Sequence, residues 1–214
     1  MTEPAFLAHT RAGYDAMAPH YAEQFGATLT GRPWDRAMVA GFAEAVDGPV
    51  ADVGCGPGGT TAYLTELGVD VLGVDLSPRT VELARRRHPG LRFAVGSMTA
   101  LPLGCGVLGG VAALYSIIHV PPPYLPGVLA EFSRVLVPGG HLMLAFQVGD
   151  EVRHRDEGWG HRICVDWHRL QPDRVAALLD DAGFRTVLRL VREPAAFPGG
   201  SESTQQAYLV ARRS

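Results

Sequence analysis

The sequence predicts an α/β fold: a doubly wound, mostly parallel seven-stranded sheet with an antiparallel C-terminal hairpin. Three observations predict it. In "VADVGCGPGGTTAY" a short apolar run enters a dense glycine turn and leaves it into helix-forming residues, which is how a strand reaches a helix across a bound ligand. Strand-like and helix-like patterns then alternate along the chain. The last two strand-like runs are joined by only "EPAAFPGGSES", and so short a connection favours an antiparallel pair.

Residues 8–27 read as a helical entry segment, with Pro19 suited to the first turn of a new helix, and 35–46 as a second amphipathic helix. Residues 1–46 thus form an entry segment, and 47–214 the core of a single domain. Strand 50–53 and helix 60–67 make the first unit. Strand 69–74 is followed by "LSPRTVELARRRHPG", in which Ser77 can cap, Pro78 fits the first helical position and Pro89-Gly90 stop the helix. Residues 91–95 and 111–116 are the third and fourth strands. Helix 125–137 places Leu125, Val128, Leu129, Phe132 and Leu136 at helical spacing and ends at "PGG", 138–140. Strand 141–148, a polar loop, helix 172–182 closed by Gly183, and strands 186–192 and 206–211 complete the order. In such a sheet ligands bind beyond the C-terminal ends of the strands, here near residues 54–58, 75–77, 96–98 and 115–119.

Composition narrows the field. The 214 residues are 47% apolar and 19% charged, enough for one sizeable core. Net charge is −3 with no basic block, which argues against a nucleic-acid partner. Cys55, Cys105 and Cys164 are too scattered for metal spacing and suggest free thiols in a reducing, cytoplasmic setting. No signal peptide is expected from the first residues, and no apolar run approaches the ~18 residues of a membrane span. All 19 basic residues are Arg, which reads as genome composition. The sequence leaves the oligomeric state open.

The glycine turn offers two overlapping patterns, Gly54/Gly56/Gly58 and Gly54/Gly56/Gly59. Asp52 is placed to orient the turn or to hold a ligand's ammonium group. Asp75, 23 residues on, can accept two hydrogen bonds from a ribose diol. Alone, these residues suit either NAD or S-adenosylmethionine. The full set of "ADVGCGPGG", "GVDLSP", "AVGSMTALP", "LVPGGHLMLAF" and the terminal hairpin resembles the class I S-adenosylmethionine-dependent methyltransferases, a Rossmann-like family, over nearly the whole chain.

That resemblance implies S-adenosylmethionine as cofactor. It places Gly54, Cys55 and Gly56 along the methionine part, Asp75 on both ribose hydroxyls, Leu76 on the adenine, and Ser97 and Met98 on the other side of the base. The family usually has Asp where Ser97 stands; a serine accepts the same bond without charge. Tyr115 at the end of the fourth strand is counted with the cofactor contacts. "GYDAMAPHYAEQF" looks like the family's lid, with Tyr14 and Tyr21 closing over the cofactor or packing the helix interface.

The implied reaction moves a methyl group to oxygen or nitrogen of a small-molecule acceptor beyond the fourth and fifth strands. His119 is the candidate general base, since a near-normal histidine titrates at neutral pH; the other reading is a cap on the turn before Pro121. His154, Trp159 and His161 in the long polar loop are candidate acceptor-binding residues. No metal is expected from "HRDEGWGH", whose spacing matches no established site. "PPPY" at 121–124 lacks the Asn or Asp of DNA amino-methyltransferases and reads as a stiff turn. Two alternatives stay open. One is a non-methylating, cofactor-binding member of the fold. The other is an NAD-dependent oxidoreductase, although the usual Tyr-x-x-x-Lys pair is impossible without Lys.

Overall fold

Two helices precede the sheet, α1 (Ala5–Phe25) and α2 (Pro33–Ala45). The core alternates β1 (Val50–Val53), α3 (Gly59–Glu66), β2 (Val71–Asp75), α4 (Pro78–Arg87), β3 (Arg92–Val95), β4 (Leu108–Leu114), α5 (Leu125–Val135) and β5 (Leu136–Gln147). A hairpin of β6 (Val152–Gly158) and β7 (His161–His168) follows, then α6 (Pro172–Asp181) and β8 (Phe184–Arg192). The two-residue strands β9 (Ala196–Phe197) and β10 (Gly200–Ser201) lead to β11 (Gln206–Arg213). This computed structural model describes residues 3–26, 29, 31–197 and 200–214; Ala27, the end of the predicted entry segment, lies outside them.

The seven-stranded sheet runs β3-β2-β1-β4-β5-β11-β8. The first five strands are parallel, and β11 pairs antiparallel with both β5 and β8. Strand order reverses between β1 and β4, so a crevice opens beyond their C-terminal ends. β4 is buried along almost its whole length, as a central parallel strand covered on both faces must be. One face packs Phe132, Leu129, Val175 and Leu179 of α5 and α6; the other packs Val39 and Phe42 of α2 with Leu64 of α3. Ser77 caps α4 by accepting the N–H of Thr80 at 3.0 Å.

Three expectations need correction. Pro19 does not begin a helix: α1 runs straight through it. The lost backbone bond is outweighed by the packing of Met17, Ala18 and Ala22, all buried. Pro138, Gly139 and Gly140 do not end α5, which stops at Val135; they lie inside β5, where the ladder to β4 shifts register between Leu108 and Gly110. The expected polar loop is the β6–β7 hairpin, antiparallel from Val152↔His168 to Gly158↔His161. Its two-residue turn is Trp159-Gly160, with φ of 48° and 78°. Such a turn with both φ positive matches the twist of a hairpin. The hairpin's Ile163 and Val165 pack on Met17 of α1.

Candidate cofactor and acceptor cavities

Beyond β1 the chain turns at Gly54 (φ 76°) and Gly56 (φ 54°), a region that favours glycine. A Cβ on Gly54 would lie 2.2 Å from the Cβ of Ser116, so the turn touches the end of β4. Ser116 Oγ donates to the Val53 carbonyl at 2.8 Å and ties the two strand ends together. Asp75 closes β2 and holds the turn: its two carboxylate oxygens accept Gly56 N–H and Ser77 N–H, each at 2.9 Å. Burial raises the Asp75 carboxyl above its ordinary value, while these N–H groups pull it back. Each oxygen keeps a lone pair for a ligand.

Asp52 serves the turn from beneath. It is buried and accepts the Thr61 hydroxyl at 2.6 Å, and burial pushes its carboxyl up to about 7. Of its two expected roles, the geometry matches turn orientation. The Cys55 side chain packs among Val81, Ala84 and Phe93, and unlike Gly54 and Gly56 it does not line the cavity beyond the turn. Ser97 Oγ is already engaged with Thr99, at 3.2 Å from its N–H and 2.8 Å from its hydroxyl.

α1 lies over this crevice. Asp15 Oδ1 accepts the Ser77 hydroxyl at 2.6 Å and the Arg79 N–H at 3.1 Å, docking α1 on the start of α4. Tyr14 and Tyr21 meet edge to face at 5.1 Å. The Tyr14 hydroxyl lies 2.9 Å from His119 Nε2, and His119 Nδ1 lies 3.0 Å from the Asp166 carbonyl of β7. A carbonyl only accepts, so Nδ1 carries the proton and Nε2 accepts from Tyr14. Burial lowers the His119 pKa to about 4 and raises the Tyr14 phenol well above its usual value. The expectation of a near-normal histidine is therefore corrected: His119 is neutral at pH 7, and its free lone pair is taken by Tyr14.

Two cavities meet at this wall. A slot of about 80 Å³ is lined by Gly54, Gly56, Asp75, Leu76, Ser97 and Met98 on one side and by Leu7, Thr10, Tyr14 and Tyr21 of α1 on the other. A chamber of about 510 Å³ lies beyond it. Tyr14, Tyr21 and Tyr115 line both. Tyr115 has φ 53°, a conformation that costs a non-glycine residue about 1–3 kcal/mol and clusters at functional sites.

Trp159 lines the chamber from the hairpin tip, but His154 and His161 line neither cavity. His154 Nδ1 pairs with Asp166 at 2.7 Å, and the His161 ring packs on His20 at 5.6 Å. Among the described residues no three His, Cys, Asp or Glu side chains converge as a metal site would require.

Sequence reasoning missed the chamber's far wall. Arg192 grips Glu202 with two bonds of 2.5 and 2.7 Å and reaches buried Asp35 at 3.1 Å; Arg32 joins the same two carboxylates and lies 4.1 Å over the Phe197 ring. Arg153 and Arg155 of the hairpin complete the lining beside Trp167, a residue for which the sequence offers either a pocket wall or core packing. The available signal was the alternation Ile163, Val165, Trp167, which marks a strand with one buried face.

Residues 50–140 match a family model described as a methyltransferase domain. Among curated proteins, a demethylmenaquinone methyltransferase of Renibacterium salmoninarum is 31% identical over 136 residues, 63% of this chain and 56% of that protein. A second, from Beutenbergia cavernae, is 34% identical over 53% of this chain and 47% of its own length. The chain thus spans about half the length of these relatives. Among solved structures, a magnesium protoporphyrin IX methyltransferase from Synechocystis with bound S-adenosylmethionine superposes over 100% of both chains, with a TM-score of 0.74 and 16% identity. A 1,6-didemethyltoxoflavin-N1-methyltransferase from Burkholderia thailandensis gives 0.70 at 22% identity, over 100% of this chain and 92% of its own. At those identities the structural likeness speaks to the fold.

Proposed function

We propose that the chain is a class I S-adenosylmethionine-dependent methyltransferase, a reading supported by the match of residues 50–140 to a methyltransferase domain, and that it transfers a methyl group from that cofactor to oxygen or nitrogen of a small-molecule acceptor. The observation that carries this reading is the shared wall. Tyr14, Tyr21 and Tyr115 line both the slot under the glycine turn and the larger chamber, so ligands in the two would lie on either side of these three residues.

The residues present fit the cofactor. The Asp75 carboxylate lines the slot with lone pairs for a ribose diol, Leu76 and Met98 offer apolar surfaces for a base, and the backbone at Gly54 and Gly56 is open to a methionine chain. When bound, the cofactor supplies a methyl group on a positively charged sulfur. The protein holds the acceptor in line with it and excludes water. Tyrosine ring faces are favourable neighbours for such a cation. His119, neutral and bonded to Tyr14, acts in this reading by fixing the phenol at the junction of the cavities; a base near pKa 4 withdraws protons weakly at neutral pH. The acceptor therefore supplies its own reactive form, as an ionised oxygen or a neutral amine.

The same reading has one domain, residues 1–46 as lid and 47–214 as core, working in the cytoplasm on a small molecule rather than on nucleic acid. Three free cysteines support a reducing compartment. No helix among the described residues is long and apolar enough to cross a membrane.

Calorimetry with S-adenosylmethionine, S-adenosylhomocysteine and NAD tests the cofactor, and a labelled-methyl screen of phenols, amines and carboxylic acids tests the transfer. Asp75→Ala should weaken S-adenosylhomocysteine by roughly tenfold to a hundredfold, since each bond to a charged group contributes about 1.5–3 kcal/mol. Tight NAD binding without S-adenosylmethionine binding would overturn the reading.

A further inference from the structure

Two arginines on the chamber wall have no carboxylate to answer them. Side chains alternate along β6, so Arg153 and Arg155 share one face while Val152 and His154 take the other. That face lines the chamber. Arg153 reaches the Ser203 hydroxyl at 3.4 Å, and the Arg155 guanidinium lies 5.9 Å from the centre of the Trp167 ring. Arg169 also reaches Ser203, but it is paired with Glu151. Neither Arg153 nor Arg155 forms an ion pair among the described residues.

The other charges at the chamber cancel. Arg32 and Glu202 line the chamber and pair with each other, and Arg192 and Asp35, which pair with them, add one charge of each sign, which leaves Arg153 and Arg155 in excess on a chain whose net charge is −3. Ordinary surface arginines extend into water and answer nearby acids. These two face a concave wall built from Trp159, Trp167, Phe25 and Phe197. A guanidinium offers two parallel N–H groups that match a carboxylate or a similar oxyanion.

We infer that the acceptor is a flat aromatic molecule bearing an anionic oxygen group, its ring against Trp159 and Trp167 and its charge at Arg153 and Arg155. The word acceptor rests on the methyltransferase reading; the preference for a charged aromatic does not.

A matched pair of probes tests this: naphthalene-2-carboxylate and the neutral naphthalene-2-carboxamide, titrated by tryptophan fluorescence against the full chain with and without S-adenosylhomocysteine. The carboxylate should bind about tenfold or more tightly than the amide at low salt, and the gap should narrow as salt rises. In the Arg153→Ala/Arg155→Ala variant the two probes should bind within about twofold of each other. Both side chains are exposed, so the variant's melting temperature should match the parent's. Equal affinity of the parent for both probes, no binding of the carboxylate, or a preference that survives in the folded double variant would each overturn the inference. Calorimetry with S-adenosylhomocysteine on the same preparation keeps the two ideas apart. If it binds while the carboxylate preference is absent, the acceptor inference fails and the cofactor reading stands. If it does not bind, the cofactor reading fails, and the titration without it still decides the charge preference.

Discussion

His119 shows how one half-buried side chain changes meaning with its surroundings. Its sequence position, just past the fourth strand, suggested a base titrating near neutrality. Burial lowers its pKa to about 4, and Tyr14 occupies its Nε2. The pair should behave as a unit. Tyr14→Phe and His119→Ala are each expected to lower turnover by roughly tenfold, the worth of one hydrogen bond of about 1–1.5 kcal/mol. Their combination should lose little more than either alone. Steady-state rates of the four proteins check this; full additivity would separate the two residues. The histidine should add no step to the parent's rate between pH 6 and 8, because it is already neutral there. Its mark belongs to stability instead. The folded pKa lies below the unfolded value near 6.5, so the unfolded chain binds the extra proton, and stability is lost as pH falls from about 6.5 towards 4. Thermal melts across that window should show a smaller acid loss in His119→Ala.

At the scale of elements, the lid and the hairpin depend on one close crossing. A Cβ on Gly13 of α1 would lie 2.4 Å from Val165 Cγ2 of β7, and valine is stiff at that bond. Gly13→Ala adds helix propensity, yet overpacking of this kind typically costs about 1–3 kcal/mol. The melting temperature should therefore drop by several degrees, at about 2–4 °C per kcal/mol in a chain this long. Adding Val165→Ala should recover part of the loss. If Gly13→Ala alone raises the melting temperature, the crossing is looser than its geometry. The same contrast explains what the sequence disclosed about these elements. The parallel strands were legible because each is a run of apolar residues bounded by glycine or proline. The hairpin was not, because β6 is charged and exposed almost throughout and only β7 buries alternate residues. The entry helix was read with a break at Pro19 because local chemistry says nothing of the packing that carries α1 through it.

For the molecule as a whole, the glycine turn and Asp75 were visible in the chain, since a strand, a turn and a carboxylate at fixed spacing are local features, whereas Tyr14 and Tyr21 were expected only through the family resemblance. The chamber was not. Its wall joins Arg32 to Glu202, 170 positions apart, and the same network pairs Asp35 with Arg192, 157 apart; only the folded sheet brings them together. α1 covers the slot and is fastened at Tyr14–His119 and Asp15–Ser77, whereas Trp159 at the chamber's hairpin tip is 42% exposed. The two cavities thus have different covers. In the proposed function a spent cofactor would wait for the helix to lift, whereas a methylated product would leave past the hairpin tip. Turnover should follow a compulsory sequence, cofactor first in and last out. S-adenosylhomocysteine should then inhibit competitively against S-adenosylmethionine and non-competitively against the acceptor. Competitive patterns for both products against both substrates would mean instead that the two sites empty independently, and that the helix over the slot opens as freely as the chamber beside it.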